Sequence, residues 1–512
     1  MAAVSGQLVA RRLSFIAIDP VLAAVTGLAL LGLALRLHDI ALDPFWKNEL
    51  FSLAWIDHSS FWLATSGLVL ETNPPLHFLL LKLWTEVFGT SEVAARLPSA
   101  LASAASVPLL YALGRRLGGT RVGLVAAGVL AVTPMQIFYA HEARAYAFLP
   151  CFLLLALLGL CRFLQEPVPG RQGLGAYVLG SLALIYSHAI AAFILAALLL
   201  ALGLGGALPR ERRRNCALAT LLVLAGAVPQ MVAMALQAHS PNIEWMDPFS
   251  GITLLALVRY VLVGPMVAVA LDPAENLRLP VEALLATAGA LLLFASAWRA
   301  IGPDNRLGRA IVVLFPLLFL AIGTVVSLER PILVPRVGIW LSLPVGLAAG
   351  FVFVRPSRIG LVAGALLAAC LAFGLQDNVL APLQHKPHWQ ELARDNPAGP
   401  DVPLLVVGPH TGPLGLDFYA VRSAAPHPAV PRILLPDPAP APTLADRLER
   451  DATGARPIAM GEFLALIQAG RPVRLAYDDD DAIKLKSVLA GLPSGSLRRY
   501  PGVVSMTWNA QD

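Results

Sequence analysis

The chain of 512 residues is 57% hydrophobic and only 14% charged, with a formal net charge of +5. So little charge over that length excludes an ordinary soluble enzyme and leaves a polytopic membrane protein. The modest positive excess sits in clusters between apolar runs, so it reads as topology information and excludes a nucleic-acid-binding footprint.

Apolar runs of roughly 17 to 25 residues recur from about residue 17 to about residue 376, each long enough to cross a hydrocarbon core of roughly 30 Å as a helix. The first follows Arg11 and Arg12, which place the N-terminus in the cytoplasm. It reaches Leu37 without a small-residue cleavage site, so a retained span is expected. That span delivers Asp43-Pro44-Phe45-Trp46-Lys47-Asn48-Glu49-Leu50 to the opposite, periplasmic face. Ionisable groups so near a bilayer exit are costly to desolvate and point to a site at the water-lipid boundary.

Residues 56 to 72, with Trp55, Phe61 and Trp62 nearby, read as interfacial, and Asn73-Pro74-Pro75-Leu76 fixes the chain before a helix. Apolar stretches at about 75–88 and 93–114 then lead to Arg115, Arg116 and Arg121. Keeping that cluster inside requires 75–88 to be short or partly embedded. The span at about 122–139 next brings His141-Glu142-Ala143-Arg144-Ala145-Tyr146 to the same face as Glu49. Further along, Arg162, Arg171 and the run Arg210 to Arg214 lie inside, and Tyr186-Ser187-His188 outside. The polar loop from Gln237 to Ser250, with Glu244, Trp245 and Asp247, lies outside, and about 251–270 is partly embedded. Arg299, Arg306 and Arg309 return to the inside, Arg330 and Arg336 stand at an outer turn, and Arg355 and Arg358 are again inside. This frame gives a multi-pass protein with about 11–13 transmembrane helices over residues 1–376 and outer-face loops at about 38–75 and 140–146.

Residues 377–512 are Pro-rich and charged, and short β-like runs (Val402 to Val407, Arg432 to Leu435, Val473 to Tyr477, Val503 to Trp508) alternate with helix-like runs (Leu444 to Asp451, Glu462 to Ala469, Asp481 to Ala490). A small C-terminal α/β domain on the periplasmic side is expected. Cys151, Cys161, Cys216 and Cys370 fall in apolar segments, so neither a disulfide framework nor a metal-ligand spacing follows.

Glu49 and Glu142 sit at the outer ends of separate helical elements, where two carboxylates in one cleft could serve as general base and as charge partners for a metal. The plainer reading pairs Glu49 with Lys47 and Glu142 with Arg144. Arg144, Arg330 and Arg336 are outward arginines whose guanidinium forks suit a phosphate, or alternatively snorkel to head groups. Tyr146 and His188 could contact a sugar or phosphate, or belong to the interfacial belt. The run Asp478 to Asp481 reads as helix capping on a solvated surface, without a catalytic role. For His385-Lys386-Pro387-His388-Trp389, where the soluble domain meets the membrane, docking is favoured over contact with the site.

Several segments, in order, resemble the integral-membrane GT-C glycosyltransferases, specifically bacterial proteins similar to dolichyl-phosphate-mannose protein mannosyltransferases and the aminoarabinose lipid A transferase. They are Trp46-Lys47-Asn48-Glu49, Asn73-Pro74-Pro75-Leu76, Phe88-Gly89-Thr90-Ser91-Glu92, Ala95-Arg96-Leu97-Pro98-Ser99-Ala100, Gly114-Arg115-Arg116-Leu117, and Tyr139-Ala140-His141-Glu142-Ala143-Arg144-Ala145-Tyr146. The resemblance implies inverting transfer of a sugar from a polyprenyl-phosphate donor to a hydroxyl of a glycan, lipid or protein acceptor, in a bacterial inner (plasma) membrane. Lys47, Asn48, Arg144, Tyr146, His188, Arg330 and Arg336 are the candidate donor-phosphate or substrate contacts. A divalent cation, Mg or Mn, held by Glu49 and Glu142, is an option the resemblance leaves open. Where that family has an Asp-Glu pair this chain reads Asn48-Glu49. Asn cannot take a proton, so the base would be Glu49, Asp43 upstream, or nothing. A non-catalytic lipid-linked-sugar binding protein and a lipid-carrier transporter are the alternatives.

Overall fold

The computed structural model describes residues 19–166, 171–237, 248–265, 273–380, 386, 388–395, 404–407, 418–419, 432–435, 456–478, 495–500 and 503–508. The loop with Glu244, Trp245 and Asp247, His385 and the acidic run beyond Asp478 lie outside the described residues.

Helix ends follow local chemistry. The helix α1 (Pro20–Leu37) starts where the Asp19 carboxylate accepts from the Val21 N–H at 2.9 Å and Pro20 fills the first turn. A short helix α2 (Lys47–Trp55) carries Asn48 and Glu49 in its first turn. The amphipathic α3 (Leu76–Phe88) has 13 residues and leaves Leu83, Val87 and Phe88 exposed, so it is too short to cross, as the sequence reading required of 75–88. The long α4 (Glu92–Gly118) begins at Ser91, whose hydroxyl accepts from the Ala94 N–H at 3.1 Å. It turns at Gly119, with φ +92°, into α5 (Thr120–Ala131). A Cβ on Gly114 would meet the Gly123 Cα at 2.8 Å, so only glycine lets the two helices approach this closely.

The chain then breaks. Between α5 and α6 (Pro134–Ala140) the axis bends by 54°. Pro134 has no N–H to offer the Leu130 carbonyl, which would have been its partner in a continuous helix. Arg36 from α1, fully buried, fills the gap: its Nη2 donates to Leu130 O at 3.1 Å and its Nη1 to Ala131 O at 3.0 Å. Its Nε donates to the Ser103 hydroxyl at 2.7 Å and its Nη1 also to Gly32 O at 2.8 Å. A guanidinium in an apolar bundle is thus satisfied by carbonyls that the bend has freed.

The remaining bundle comprises α7 (Phe148–Gln165), α8 (Arg171–Ile185), α9 (Ala191–Leu204), α10 (Arg213–Leu236), α11 (Gly251–Leu262), α12 (Pro273–Ala300), α13 (Phe315–Ser327), α14 (Ser342–Val354) and α15 (Arg358–Leu375). Among the described residues eight helices are long and apolar enough to cross a membrane, or nine if the bent α5–α6 pair counts as one span. The protein is therefore a multi-pass α-helical membrane protein. Three shorter apolar helices, α8, α9 and α11, have 15, 14 and 12 residues, about 18–22 Å at 1.5 Å per residue, short of a full crossing, so the full-length spans among the described residues are fewer than the 11–13 expected from the sequence.

The two ends of the bundle differ. At one end Arg116 and Arg162 both reach Glu166 at 3.4 Å, while the Arg355 guanidinium caps Ala300 O at 3.0 Å. The other end gathers the 38–75 and 140–146 loops, His188 and the 330–336 turn, the grouping that the alternation of basic loops predicted.

Beyond α15 and the short helix α16 (Trp389–Asp395) the described residues form a six-stranded mixed sheet flanked by α17 (Met460–Gln468), in agreement with the small α/β domain expected. Its strands are β1 (Leu404–Val407), β2 (Arg432–Leu435), β3 (Arg456–Ala459), β4 (Val473–Asp478), β5 (Ser496–Tyr500) and β6 (Val503–Trp508), in the order β3-β2-β1-β4-β6-β5. The first four pair in parallel and β4-β6-β5 antiparallel. Trp389, Leu392 and Tyr419 share one apolar cluster with Phe45, Leu50 and Trp55, so the tail is seated on the α2 loop.

Candidate active site at one end of the helix bundle

Glu49 accepts five hydrogen bonds at this end. Its Oε1 accepts from Arg96 Nε at 2.8 Å and from the Ala143 N–H at 3.0 Å; its Oε2 accepts from Arg96 Nη2 at 3.0 Å, Lys386 Nζ at 2.9 Å and the Trp46 N–H at 3.3 Å. The last bond closes the first turn of α2 on itself. Burial alone would raise its proton affinity, but the Arg96 and Lys386 charges overcome this and hold the carboxyl at about 2. Such a group is a poor proton acceptor at neutral pH, and its lone pairs are already engaged.

Arg96 spends its other donors on the loop before α2: Nη1 reaches Ile40 O and Asp43 O at 2.8 Å each, Nη2 reaches Pro44 O at 3.0 Å, and the guanidinium lies 5.1 Å from the centre of the Phe45 ring. Glu49 and Arg96 together therefore clamp the outer loop to α4 and to the 141–144 segment. Neither partner is Lys47, so the ion pair suggested by sequence proximity does not form.

Glu142 is the counterpart in the opposite state. It is 3% exposed and its Oε2 has no hydrogen-bond partner. Burial raises its carboxyl to about 7, with Glu49 adding to the rise and Lys386, Arg144 and Arg336 opposing it. The Glu142–Arg144 ion pair expected as the plain alternative is absent among the described residues. The Arg144 Nη1 instead donates to the Ser52 hydroxyl at 2.9 Å and Asn48 O at 3.2 Å, and only its backbone N–H turns to Glu142 O, at 2.8 Å. Arg144 thereby ties α2 to the turn that follows α6.

The remaining candidates fall around this core. Tyr146 packs against Tyr139 at 5.0 Å, His188 at 5.7 Å and the Arg336 guanidinium at 5.9 Å, so three of them share one wall. Burial, then the Arg336 and Arg144 charges, lower His188 to about 3, which keeps its ring neutral. Asn48 and Lys47 are half-buried at the start of α2. Asp43 lines a cleft with Asp39, His141, Asn378 and Lys386. Arg330 is exposed on the turn after α13.

Three contributors escaped the sequence reading. Arg96 was visible as a cation inside an apolar helix. His77, 4% exposed, places Nε2 3.0 Å from Ala143 O, and because a carbonyl can only accept, Nε2 carries the proton; burial with the nearby Arg144 charge lowers the ring to about 3 and keeps it neutral. Lys386 comes from beyond the last span and contacts the site directly, against the expectation that its segment only docks.

Glu49 already accepts from two cationic side chains, which compete with any divalent cation for its oxygens, and among the described residues no group of three or more His, Cys, Asp or Glu side chains is gathered.

Residues 72–233 match the family described as dolichyl-phosphate-mannose-protein mannosyltransferase. YkcB of Bacillus subtilis (strain 168), named as a candidate mannosyltransferase, is 28% identical over 120 residues, 23% of this chain. The aligned stretch spans 17% of that relative's length. Among solved structures, ArnT from Cupriavidus metallidurans bound to undecaprenyl phosphate is 17% identical with a TM-score of 0.47, over 96% of this chain and 98% of its own. The oligosaccharyltransferase AglB from Archaeoglobus fulgidus, in complex with an inhibitory peptide and a dolichol-phosphate, is 14% identical with a TM-score of 0.49, over 92% and 70%.

Proposed function

We propose, from the match of residues 72–233 to the dolichyl-phosphate-mannose-protein mannosyltransferase family, that the chain is a GT-C-type membrane glycosyltransferase that moves a sugar from a polyprenyl-phosphate donor to an acceptor hydroxyl at the outer, periplasmic face. The observation that carries this reading is Glu142: a buried carboxyl with an open oxygen, held near neutrality, and surrounded by the Arg144, Arg336 and Lys386 charges. A base works best when its proton affinity lies near the working pH, and of the two glutamates Glu142 alone meets this. Glu49, first considered for that role, becomes the clamp that shapes the loop.

In the step proposed, the acceptor oxygen attacks the anomeric carbon and its proton passes to Glu142. The bond between that carbon and the phosphate oxygen breaks, and the lipid phosphate leaves with the electron pair, giving inversion at the sugar. Arg144 and Arg336 stabilise the charge gathering on the phosphate. Tyr146 and the neutral His188 ring form the wall against which the sugar or phosphate rests. The similar proteins whose structures hold undecaprenyl phosphate or a dolichol-phosphate agree with a lipid-linked donor. Clusters of arginine at the far end of the bundle agree with that end lying in the cytoplasm of a bacterial inner membrane. No step requires a metal ion.

The test is transfer from membranes containing polyprenyl-phosphate sugars, by protein in nanodiscs, with wild type beside Glu142→Gln, Asn48→Asp and Asp43→Ala. Glu142→Gln should fall at least about a hundredfold, the scale of a lost general base, and Asn48→Asp and Asp43→Ala should retain turnover. Full turnover in Glu142→Gln would refute the assignment. Silence of the wild type together with a gain in Asn48→Asp would favour a binding protein whose catalyst has lapsed.

A further inference from the structure

Two side chains from beyond the last span grip the loop that bears Asn48 and Glu49. Lys386, 8% exposed, places Nζ 2.9 Å from Glu49 Oε2 and 3.3 Å from His141 O. Tyr419 accepts from the Phe45 N–H at 2.7 Å and donates to Glu92 Oε1 at 2.9 Å. Ala476 of β4 and Val503 of β6 join Trp389, Leu392 and Tyr419 in the apolar cluster built on Phe45, Leu50 and Trp55, so the sheet itself is seated there. The soluble tail thus adds a cation and an apolar plug to a site whose other parts come from the bundle.

We infer that Lys386 is a positioning residue of the site: it ties Glu49 to the His141 carbonyl and supplies, beside Glu142, a positive charge that arrives when the C-terminal domain docks. For its catalytic consequence this rests on Glu142 being the base; its structural consequence stands apart from that. The groups facing Glu142 are Lys386 from the tail, Glu49 from α2, Arg144 from its own segment, Arg336 from the 335–341 turn, Tyr139 on α6 and Tyr260 on α11. Taking Lys386 away removes a cation that favours the ionised carboxylate and leaves the Glu49 charge less neutralised. Both changes act in one direction, toward tighter proton binding by Glu142. A lysine that merely braced the fold would lower stability without moving that titration. In an undocked protein the base would stay protonated at neutral pH, so docking of the tail and readiness of the site are coupled.

The experiment is an infrared titration of the full chain in nanodiscs, following the protonated-carboxyl band that Glu142→Gln abolishes. It compares wild type, Lys386→Met, Lys386→Arg and Tyr419→Phe, and a transfer profile against pH is recorded on the same samples. Lys386→Met should raise the midpoint by about one pH unit, the low end for a lost neighbouring charge. Lys386→Arg should restore it, and Tyr419→Phe, which loosens the same interface without removing charge, should leave it in place. If Lys386→Met does not fold, Lys386→Gln takes its place. An unmoved midpoint in the charge-removing variant, or an equal shift in Tyr419→Phe, overturns the inference. A shifted band in a protein that transfers nothing upholds the role of Lys386 while removing the enzyme reading. Transfer whose acid limb ignores Lys386 removes the inference alone.

Discussion

Replacing Arg96 with Met would test the clamp on which the site's geometry depends. The substitution keeps the aliphatic bulk in α4 but deletes both bonds to Glu49 and the bonds to Ile40 O, Asp43 O and Pro44 O. Glu49 would be left fully buried with Lys386 as its one cationic partner. Breaking a buried pair by removing one member costs about 3–5 kcal/mol, because the surviving charge is left under-compensated. Much of that should appear as local opening of the 40–56 segment, which is short and anchored chiefly through this guanidinium. At about 1.4 kcal/mol per tenfold, its amide hydrogen exchange should quicken roughly a hundred- to a thousandfold. Exchange on α7 should stay near wild type. The double variant Arg96→Met/Glu49→Gln should recover part of the loss, since it removes the stranded charge as well. Exchange within about threefold of wild type in Arg96→Met, or a double variant worse than the single one, would refute the reasoning.

Other parts of the structure make separate demands. Arg36→Met should lower thermal stability by about 2–4 kcal/mol, since Ala131 O loses its Arg36 donor inside the bundle and Leu130 O keeps only the Thr133 N–H at 3.3 Å, whereas Arg36→Lys should recover part of it; equal melting of Arg36→Met and wild type would contradict the role given to Arg36 at the bend. Gly123→Val should be more damaging, because a Cβ there meets Tyr111 O at 2.6 Å; normal yield and melting would show that α4 and α5 pack less closely than described. Glu142→Gln should be at least as stable as wild type at pH 8. The folded carboxyl titrates at about 7 against 4.5 in the unfolded chain, so its contribution to stability is present below about 4.5 and is lost as pH rises to 7. A melting temperature for Glu142→Gln well below that of wild type at pH 8 would contradict the burial of an uncompensated carboxyl.

Much of the architecture could be read from the chain because two signals are strong and local. Apolar runs mark spans, and arginine clusters mark one face, which is how Glu49, Glu142, His188 and Arg336 came to share an end of the bundle. The strands that escaped sequence reading have a physical reason: β3 (Arg456–Ala459) contains Pro457 and β5 (Ser496–Tyr500) carries Arg498 and Arg499, and both lie at the edges of the sheet. Edge strands tolerate proline and charge because one side has no ladder to complete, and so they lack the apolar alternation of central strands. The site was legible in its membership and not in its pairings. Sequence proximity suggested Glu49 with Lys47, but the partner that counts is Arg96, 47 residues away, with Lys386 a further 290 on. Nothing local marks which of two carboxylates will be saturated with donors and which left open. The bend at Pro134 was likewise visible as a proline, but its repair by Arg36 depends on packing across 94 residues.

The central claim is that Glu142, and not Glu49, takes the proton. It is tested most directly by the pH dependence of sugar transfer in wild type, Glu142→Asp and Glu142→Gln, with all three proteins shown to be folded. Wild-type turnover should rise through an acid limb near pH 7, as the carboxyl loses its proton, and flatten above it. Glu142→Asp should keep a limb at reduced turnover, and Glu142→Gln should lose both turnover and limb. Robust transfer by Glu142→Gln with the same limb as wild type would contradict the claim and return the proton to another group.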